Sequence, residues 1–294
     1  MSSEGFNQTP SPGPREKTEM PRYAELGHGC PPVSRVGLAT RGNTRLAAED
    51  VAWAVSRGVN YLNWCGYDDG IAQALKEHRI ERDSVVVAMQ LAARDASSAD
   101  REIAEAFRML GTERLDAVTY YYVEEAREWE EIIGPGGAFE ALQALRRQGH
   151  VRLIGLTTHQ RTLGAQWAAS PSAGGLDLLM VRYNAAHRGA ERDVFPVTDQ
   201  LGIPVVTFTA ERWGALARPT PEDPEGFTPP RSPEWYRFAL ANPSVSVVLA
   251  APNGRAELAE DLALFDDWRA PSPEEFATLV RHGERVRRHA GQFP

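Results

Sequence analysis

Little in this sequence invites metal, disulfide or membrane chemistry. Its 294 residues hold two cysteines, Cys30 and Cys65, too few for a disulfide framework and outside any metal-ligand spacing. A reducing, cytoplasmic setting is expected. The seven histidines form no HxH or HExxH pair, which leaves a histidine-rich metal centre without local support. No apolar run approaches the roughly 18 residues of a membrane helix. No GxGxxG follows an early strand, so the dinucleotide fingerprint of an open doubly wound sheet is missing. Base is not in excess either: 40 acidic against 32 basic side chains give a net charge of −8. That balance argues against nucleic-acid binding by counterion displacement and against acidic membranes, leaving a small molecule as the expected partner.

Residues 1–21, rich in Ser, Pro, Gly and charge, lack the apolar stretch of a signal peptide and read as a floppy tail. Residues 22–294 read as one domain. Within them eight short apolar runs alternate with helical periodicity: "VGLAT", "NYLN", "SVVVAMQ", "DAVTYY", "RLIGL", "DLLMV", "PVVTF" and "VSVVL". Runs that are apolar on both faces, separated by helices, predict a closed parallel (β/α)8 TIM barrel of the α/β class.

The spacing of Ile103, Phe107 and Leu110 predicts a helix over 99–110, and Leu142 and Leu145 predict another over 138–147, with Gly149 as its stop. Pro196 predicts a break in the helix around it. Ser272, Pro273 and Glu275 form a capping box that opens a surplus C-terminal helix. The Pro-rich stretch 218–235 reads as a long loop between the seventh and eighth strands.

In such a barrel functional side chains come from strand C-termini and the loops after them. The candidates are Asn63, Tyr67, Gln90, Tyr121, Thr157, Thr158, Met180, Phe208 and the loop after Leu249. These positions carry a resemblance. "RYAELGHGCPPVSRVGLATRG", "RGVNYLNWCGY", "RMLGTERLDAVTYY", "GHVRLIGLTTH", "MVRYNAAHR", "LGIPVVTF" and "VVLAAPNGRAELAEDLALF" resemble, in order, segments of the aldo-keto reductase superfamily, including its N-terminal β-hairpin. The similarity runs from Arg22 to about Trp268.

That resemblance implies an NADP- or NAD-dependent oxidoreductase acting on a small carbonyl substrate. Its proton donor would be a tyrosine whose pKa a lysine–aspartate pair lowers, with a histidine orienting the carbonyl. Matched position by position, Asn63 stands at the aspartate, Gln90 at the lysine and Tyr121 at the histidine, a degenerate tetrad. Tyr67 follows Asn63 by four residues where the family has five, and Asp68 takes the strict position. Losing both charges together avoids an uncompensated buried ion, and Asn63 and Gln90 are expected to form a neutral hydrogen-bonded pair. Tyr67 then lacks its pKa-lowering cation.

On the cofactor side the resemblance assigns the nicotinamide to Thr157, Thr158, Met180, Phe208 and Thr209. It assigns the adenosine end to Asn253, Gly254, Arg255 and Asp261. Met180 replaces the family's glutamine, while Ala251 and Glu257 stand where basic groups hold a 2′-phosphate. A glutamate there favours NADH unless Arg255 takes over, and backbone N–H groups at Asn253 and Gly254 offer a phosphate cradle.

Blander readings stand beside these. One has Asn63 and Gln90 serving only each other, strand alternation points Tyr121 to the mouth with Tyr120 and Tyr122 outward, and His159 reads either as a surface group near a helix cap, the first choice, or as a ligand contact. Cys65 lacks a neighbour in sequence to lower its pKa. Glu124 and Glu125, in a solvated acidic face, are near enough to the mouth for acid–base work. Three functional readings follow: a rewired NAD(P)H-dependent oxidoreductase, a non-redox enzyme on the same barrel, and a non-catalytic relative that binds a metabolite or protein.

Overall fold

The computed structural model describes residues 20–40, 45–170, 175–289 and 291. Most of the expected N-terminal tail lies outside these residues. The described chain starts at Met20, whose carbonyl accepts a bond from Trp268 Nε1 at 2.5 Å.

Strands β1 (Tyr23–Ala24) and β2 (Val33–Ser34) form a short antiparallel hairpin. The chain continues through β3 (Val36–Ala39), α1 (Ala48–Ser56), β4 (Tyr61–Trp64), α2 (Gly70–Lys76), β5 (Val86–Leu91), α3 (Ala96–Leu110) and β6 (Leu115–Tyr120). Two helices, α4 (Ala126–Ile133) and α5 (Ala138–Arg147), precede β7 (Val151–Thr158), then come α6 (Arg161–Ala168) and β8 (Leu178–Arg182). The last part holds α7 (Ala190–Asp193), α8 (Phe195–Leu201), β9 (Val205–Phe208), α9 (Ser232–Leu240), β10 (Val245–Ala250), α10 (Arg255–Leu262) and α11 (Pro273–His289). Strands β3 to β10 are the eight runs read from the sequence, and they close into a parallel barrel with β10 beside β3.

The strands alternate as their buried sequence requires. Tyr61, Val86, Ala117, Leu153, Leu178, Val206 and Val247 fill the barrel with Leu26 and Val33 of the hairpin segment below them. Leu62, Val87, Val118, Ile154, Leu179 and Val248 face the helix layer. Helix α3 is capped by Asp95, which accepts from Ser98 N at 2.9 Å, and stops at Gly111 in the left-handed region (φ +63°), where glycine carries no Cβ penalty. The predicted break at Pro196 is the junction between α7 and α8. At α11, Ser272 N donates to Glu275 Oε2 at 2.6 Å and Glu275 N to Ser272 Oγ at 3.2 Å, the reciprocal box expected there. The predicted long loop ends sooner than its composition suggests. Pro233 sits in the first turn of α9, where its missing N–H costs nothing, so Trp235 is helical.

Below the barrel, Asp116 is sealed beneath a group of arginines. Its Oδ2 accepts from Arg82 Nη2 at 2.8 Å and from Val87 N at 2.9 Å. Asp177 similarly accepts from Ile154 N at 2.8 Å, pairs with Arg146 and meets His28 Nε2 at 2.9 Å. These carboxylates tie the strand starts to helix and hairpin.

The loop before α9 is strapped to α11. Asp223 Oδ1 meets Arg285 Nε at 2.6 Å and His282 Nδ1 at 3.3 Å, and Glu222 binds Arg288 and His289. Burial pushes the Asp223 carboxyl up, but donors from Thr220 and His282 outweigh it and hold the pKa at about 2, below its usual 3.8. A depressed carboxyl contributes stability that is complete above its unfolded pKa and is lost as pH falls through the folded one. The loss of this contribution therefore runs from about pH 4 to about pH 2. In Asp223→Asn, thermal melts from pH 7 to 2 are expected to show a lower starting stability and a flatter acid decline. A decline as steep as that of the parent would disprove the assignment.

Candidate active site

The strand C-termini open into a cavity of about 840 Å³. Asn63, Tyr67, Gln90 and Tyr121 all line it, as do Met180, Phe208, Thr209, Asn253 and Asp261. The four tetrad positions are thus brought together, and the remaining polar chemistry is that of amides and phenols. The sequence has two lysines, Lys17 and Lys76; the first is outside the described residues, and the second ends α2. Among the described residues no arginine or lysine bonds the Tyr67 hydroxyl, and Tyr67 is 52% exposed. Its loop is fixed by its carbonyl, which accepts from Trp64 Nε1 at 2.7 Å. Asp68, at the family's strict spacing, is exposed and lies outside the cavity lining.

The expected Asn63–Gln90 pair does not form. Register explains why: Asn63 is level with Ala88, while Gln90 is level with Thr119, one inward-facing layer higher. Asn63 Nδ2 turns to Cys65 Sγ at 3.6 Å. Its Oδ1 is left buried in a residue 1% exposed, with no hydrogen-bond partner. A sealed acceptor of this kind costs about 1–3 kcal/mol unless a donor reaches it, so the site is built to receive an N–H or O–H.

Tyr121 comes inward as expected, and burial raises its pKa, with Cys65 and Tyr67 adding to the effect. Tyr122 departs from the expected alternation. Strand β6 ends at Tyr120 and Tyr122 takes a left-handed backbone (φ +41°), so its ring turns into the mouth. There it lies 4.2 Å from the Tyr121 ring and stacks at 4.4 Å on His159. His159 is correspondingly no surface cap: it stands edge-on to Phe208 at 5.5 Å and bonds Glu124. Glu125 caps α4 away from the cavity. Tyr122 was not assignable from strand periodicity, because that reading assumes the strand continues, and His159, stacked on it, is not among the residues lining the cavity.

The nicotinamide positions are partly committed elsewhere. Thr157 Oγ1 lies 3.1 Å from Thr119 Oγ1 and 3.5 Å from Met180 Sδ, fully buried among them. Thr158 sits on the outer side of β7 and accepts from Gln160 N at 2.9 Å. Phe208 is 8% exposed, hemmed by Tyr122 and His159.

The other end of the cavity is acidic. Glu211, Glu257, Glu260 and Asp261 line it, with Arg218 the cation on its wall. Burial first, then Glu211, pushes the Asp261 carboxyl up to about 8, although Tyr236 donates a bond to it. Glu211 is likewise raised by burial. Arg255 faces away, bonded through Nε to Asp50 Oδ1 at 2.5 Å and lying 4.7 Å over the Trp53 ring. Glu257 Oε2 accepts from Asn253 N at 2.7 Å, so a carboxylate already occupies the positive end of α10. Glu211 and Tyr236 had no sequence signal, whereas Arg218 opens the Pro-rich loop read from the sequence.

No group of three metal-ligating side chains occurs among the described residues, and no described helix is long and apolar enough to cross a membrane. Among sequence profiles, that of the aldo/keto reductase family matches residues 35–264. No curated protein sequence matches the chain. Solved structures similar to it include the aldo-keto reductase AKR11C1 from Bacillus halodurans. Its holo form has a TM-score of 0.69 at 16% identity, covering 90% of this chain and 96% of that one. Its apo form has a TM-score of 0.67 at 17% identity, covering 90% and 95%.

Proposed function

Since the chain belongs to the aldo-keto reductase family, we propose that it is an oxidoreductase of small polar carbonyl or alcohol substrates that works with NAD(H) rather than NADP(H). One observation carries the cofactor preference: the far end of the cavity presents Glu257 and Glu260, beside Asp261 and Glu211 whose carboxyls burial inclines to hold a proton, while Arg255 is held outside. A phosphate on the adenosine ribose would meet negative charge there. Free ribose hydroxyls would instead find acceptors, as they do at the acidic residue of dinucleotide-binding sheets.

The residues fit a dinucleotide without a 2′-phosphate. Glu257 and Glu260 would hold the ribose hydroxyls, Arg218 would face the pyrophosphate, and Phe208 would pack against the nicotinamide. When bound, that group supplies or accepts the hydride. The chain itself positions the substrate: Asn63 Oδ1 takes a donor from it, and Tyr67 and Tyr121 flank its oxygen.

A second reading, a barrel that binds a metabolite without redox chemistry, is favoured by the commitment of Thr157 and the outward turn of Thr158. Fluorescence titration separates the two. NADH is expected to bind with micromolar affinity and NADPH at least about tenfold more weakly, a difference of about 1.4 kcal/mol. Glu257→Arg is expected to narrow or reverse that ratio. Absence of binding by either dinucleotide at millimolar concentration, or tighter binding of NADPH by the parent protein, would sink the proposal.

A further inference from the structure

Asn63 stands in the cavity wall almost wholly out of solvent, and its two amide atoms have different fates. The Cys65 S–H donates to the Asn63 backbone carbonyl at 3.9 Å, which leaves the sulfur lone pairs to accept from Nδ2 at 3.6 Å. That exchange fixes which way the amide points. Oδ1 is then the acceptor left for a ligand, sealed and with no donor from the chain.

The charge near it has one sign. Glu102, from α3, lines the same end of the cavity. Its carboxylate accepts from Ala92 N at 2.8 Å and Ala93 N at 2.9 Å, directly after β5, the strand that carries Gln90. No lysine or histidine is among the described lining residues, and the arginine there, Arg218, belongs to the far end. Tyr67 and Tyr121 also line this end and are 52% and 39% exposed, so ring surface is open to a ligand. A phenol ring attracts a cation over its face. A hydroxyl could donate to Oδ1 but would leave Glu102 unanswered, and a carboxylate would be repelled by Glu102 while offering Oδ1 no donor.

From this arrangement we infer that the substrate recognised at the tyrosine end is an organic ammonium ion, an amino alcohol or amino carbonyl compound. It donates an N–H to Asn63 Oδ1 while its charge rests among Glu102 and the rings of Tyr67 and Tyr121. The inference deepens the oxidoreductase reading and rests on it for the reacting carbonyl, though not for the ammonium contacts. The net charge of −8 draws such an ion to the mouth. A bound ammonium also sets positive charge beside the two phenols, which eases release of a phenolic proton; Gln90, a neutral amide, gives no such help.

Unreactive probes read the contacts without cofactor. Calorimetric titration of the intact protein at pH 7 compares N,N-dimethylbenzylamine, protonated and carrying one N–H, with benzyltrimethylammonium, which has the charge but no N–H, with neutral benzyl methyl ether and with phenylacetate. The first is expected to bind at least about tenfold more tightly than the ether, with the quaternary ion between them and phenylacetate weakest. Asn63→Leu, which keeps the volume, should bring the tertiary ammonium down to the affinity of the quaternary ion. Glu102→Gln should weaken both ions about threefold and leave the ether unchanged. Ether or phenylacetate bound as tightly as the tertiary ammonium, an ammonium preference that survives both substitutions, or no saturation by the ammonium at about 10 mM overturns the inference. With NADH, 4-(dimethylaminomethyl)benzaldehyde is expected to have a kcat/KM about tenfold or more above that of 4-isopropylbenzaldehyde. Equal turnover of the two aldehydes would sink the ammonium site and keep the oxidoreductase reading. Selective ammonium binding by a protein that binds neither dinucleotide would do the reverse.

Discussion

Asp116→Ala is expected to lower unfolding stability by about 3–5 kcal/mol, the usual result of removing one member of a buried ion pair. The carboxylate is 2% exposed at its side chain and faces Arg82, with Arg114 and Arg152 at 3.6 and 3.9 Å. Its loss leaves Arg82 partly buried against the strand starts and removes the acceptor of the Val87 N–H. Asp116→Asn keeps an acceptor for that N–H and should cost less. Urea unfolding of the two variants checks both the size and the order. Equal midpoints for the parent and Asp116→Ala would show that the arginines reach solvent without cost.

The second large effect has the opposite sign. Asp261→Asn is expected to stabilise the protein at pH 8 by roughly 2–4 kcal/mol, on the scale of about 1.4 kcal/mol for each pKa unit, and to change little at pH 4. The reasoning is linkage. The folded protein holds a proton on Asp261 up to about pH 8, whereas the unfolded chain releases it near 3.8. Between those values the native state binds more protons than the unfolded one, so stability falls as pH rises. An amide, neutral throughout, removes that decline while still accepting from Tyr236. Melting temperatures of parent and variant across pH 4 to 9 should converge at the acid end and separate at the alkaline end. Parallel curves would rule out a protonated Asp261.

The barrel was legible because its strands are buried on both faces and read as unbroken apolar runs. Helices α5 and α11 were legible because their ends carry local signals, Gly149 for the first and the Ser272–Glu275 box for the second. The site was legible only as a set of positions. Whether Asn63 reaches Gln90 depends on the stagger between β4 and β5, which no single strand's sequence contains. Arg255 seemed free for a phosphate because its partner, Asp50, lies 205 residues earlier. Tyr122 required knowing that β6 stops at Tyr120 and that the backbone then turns left-handed. Local patterns therefore gave the frame, and long-range contacts decided which side chains face the cavity.

The strap joining Asp223 and Glu222 to α11 bears on how the cavity keeps its shape. Arg218 and Ser232, the two shoulders of that loop, stand in the cavity wall, while its middle is fastened to the last helix. A chain cut before Ser272 would keep a closed ring of strands but lose the anchor on this flank. The width of the acidic end is consequently governed from the C-terminal helix, far along the chain from the tyrosines at the opposite end.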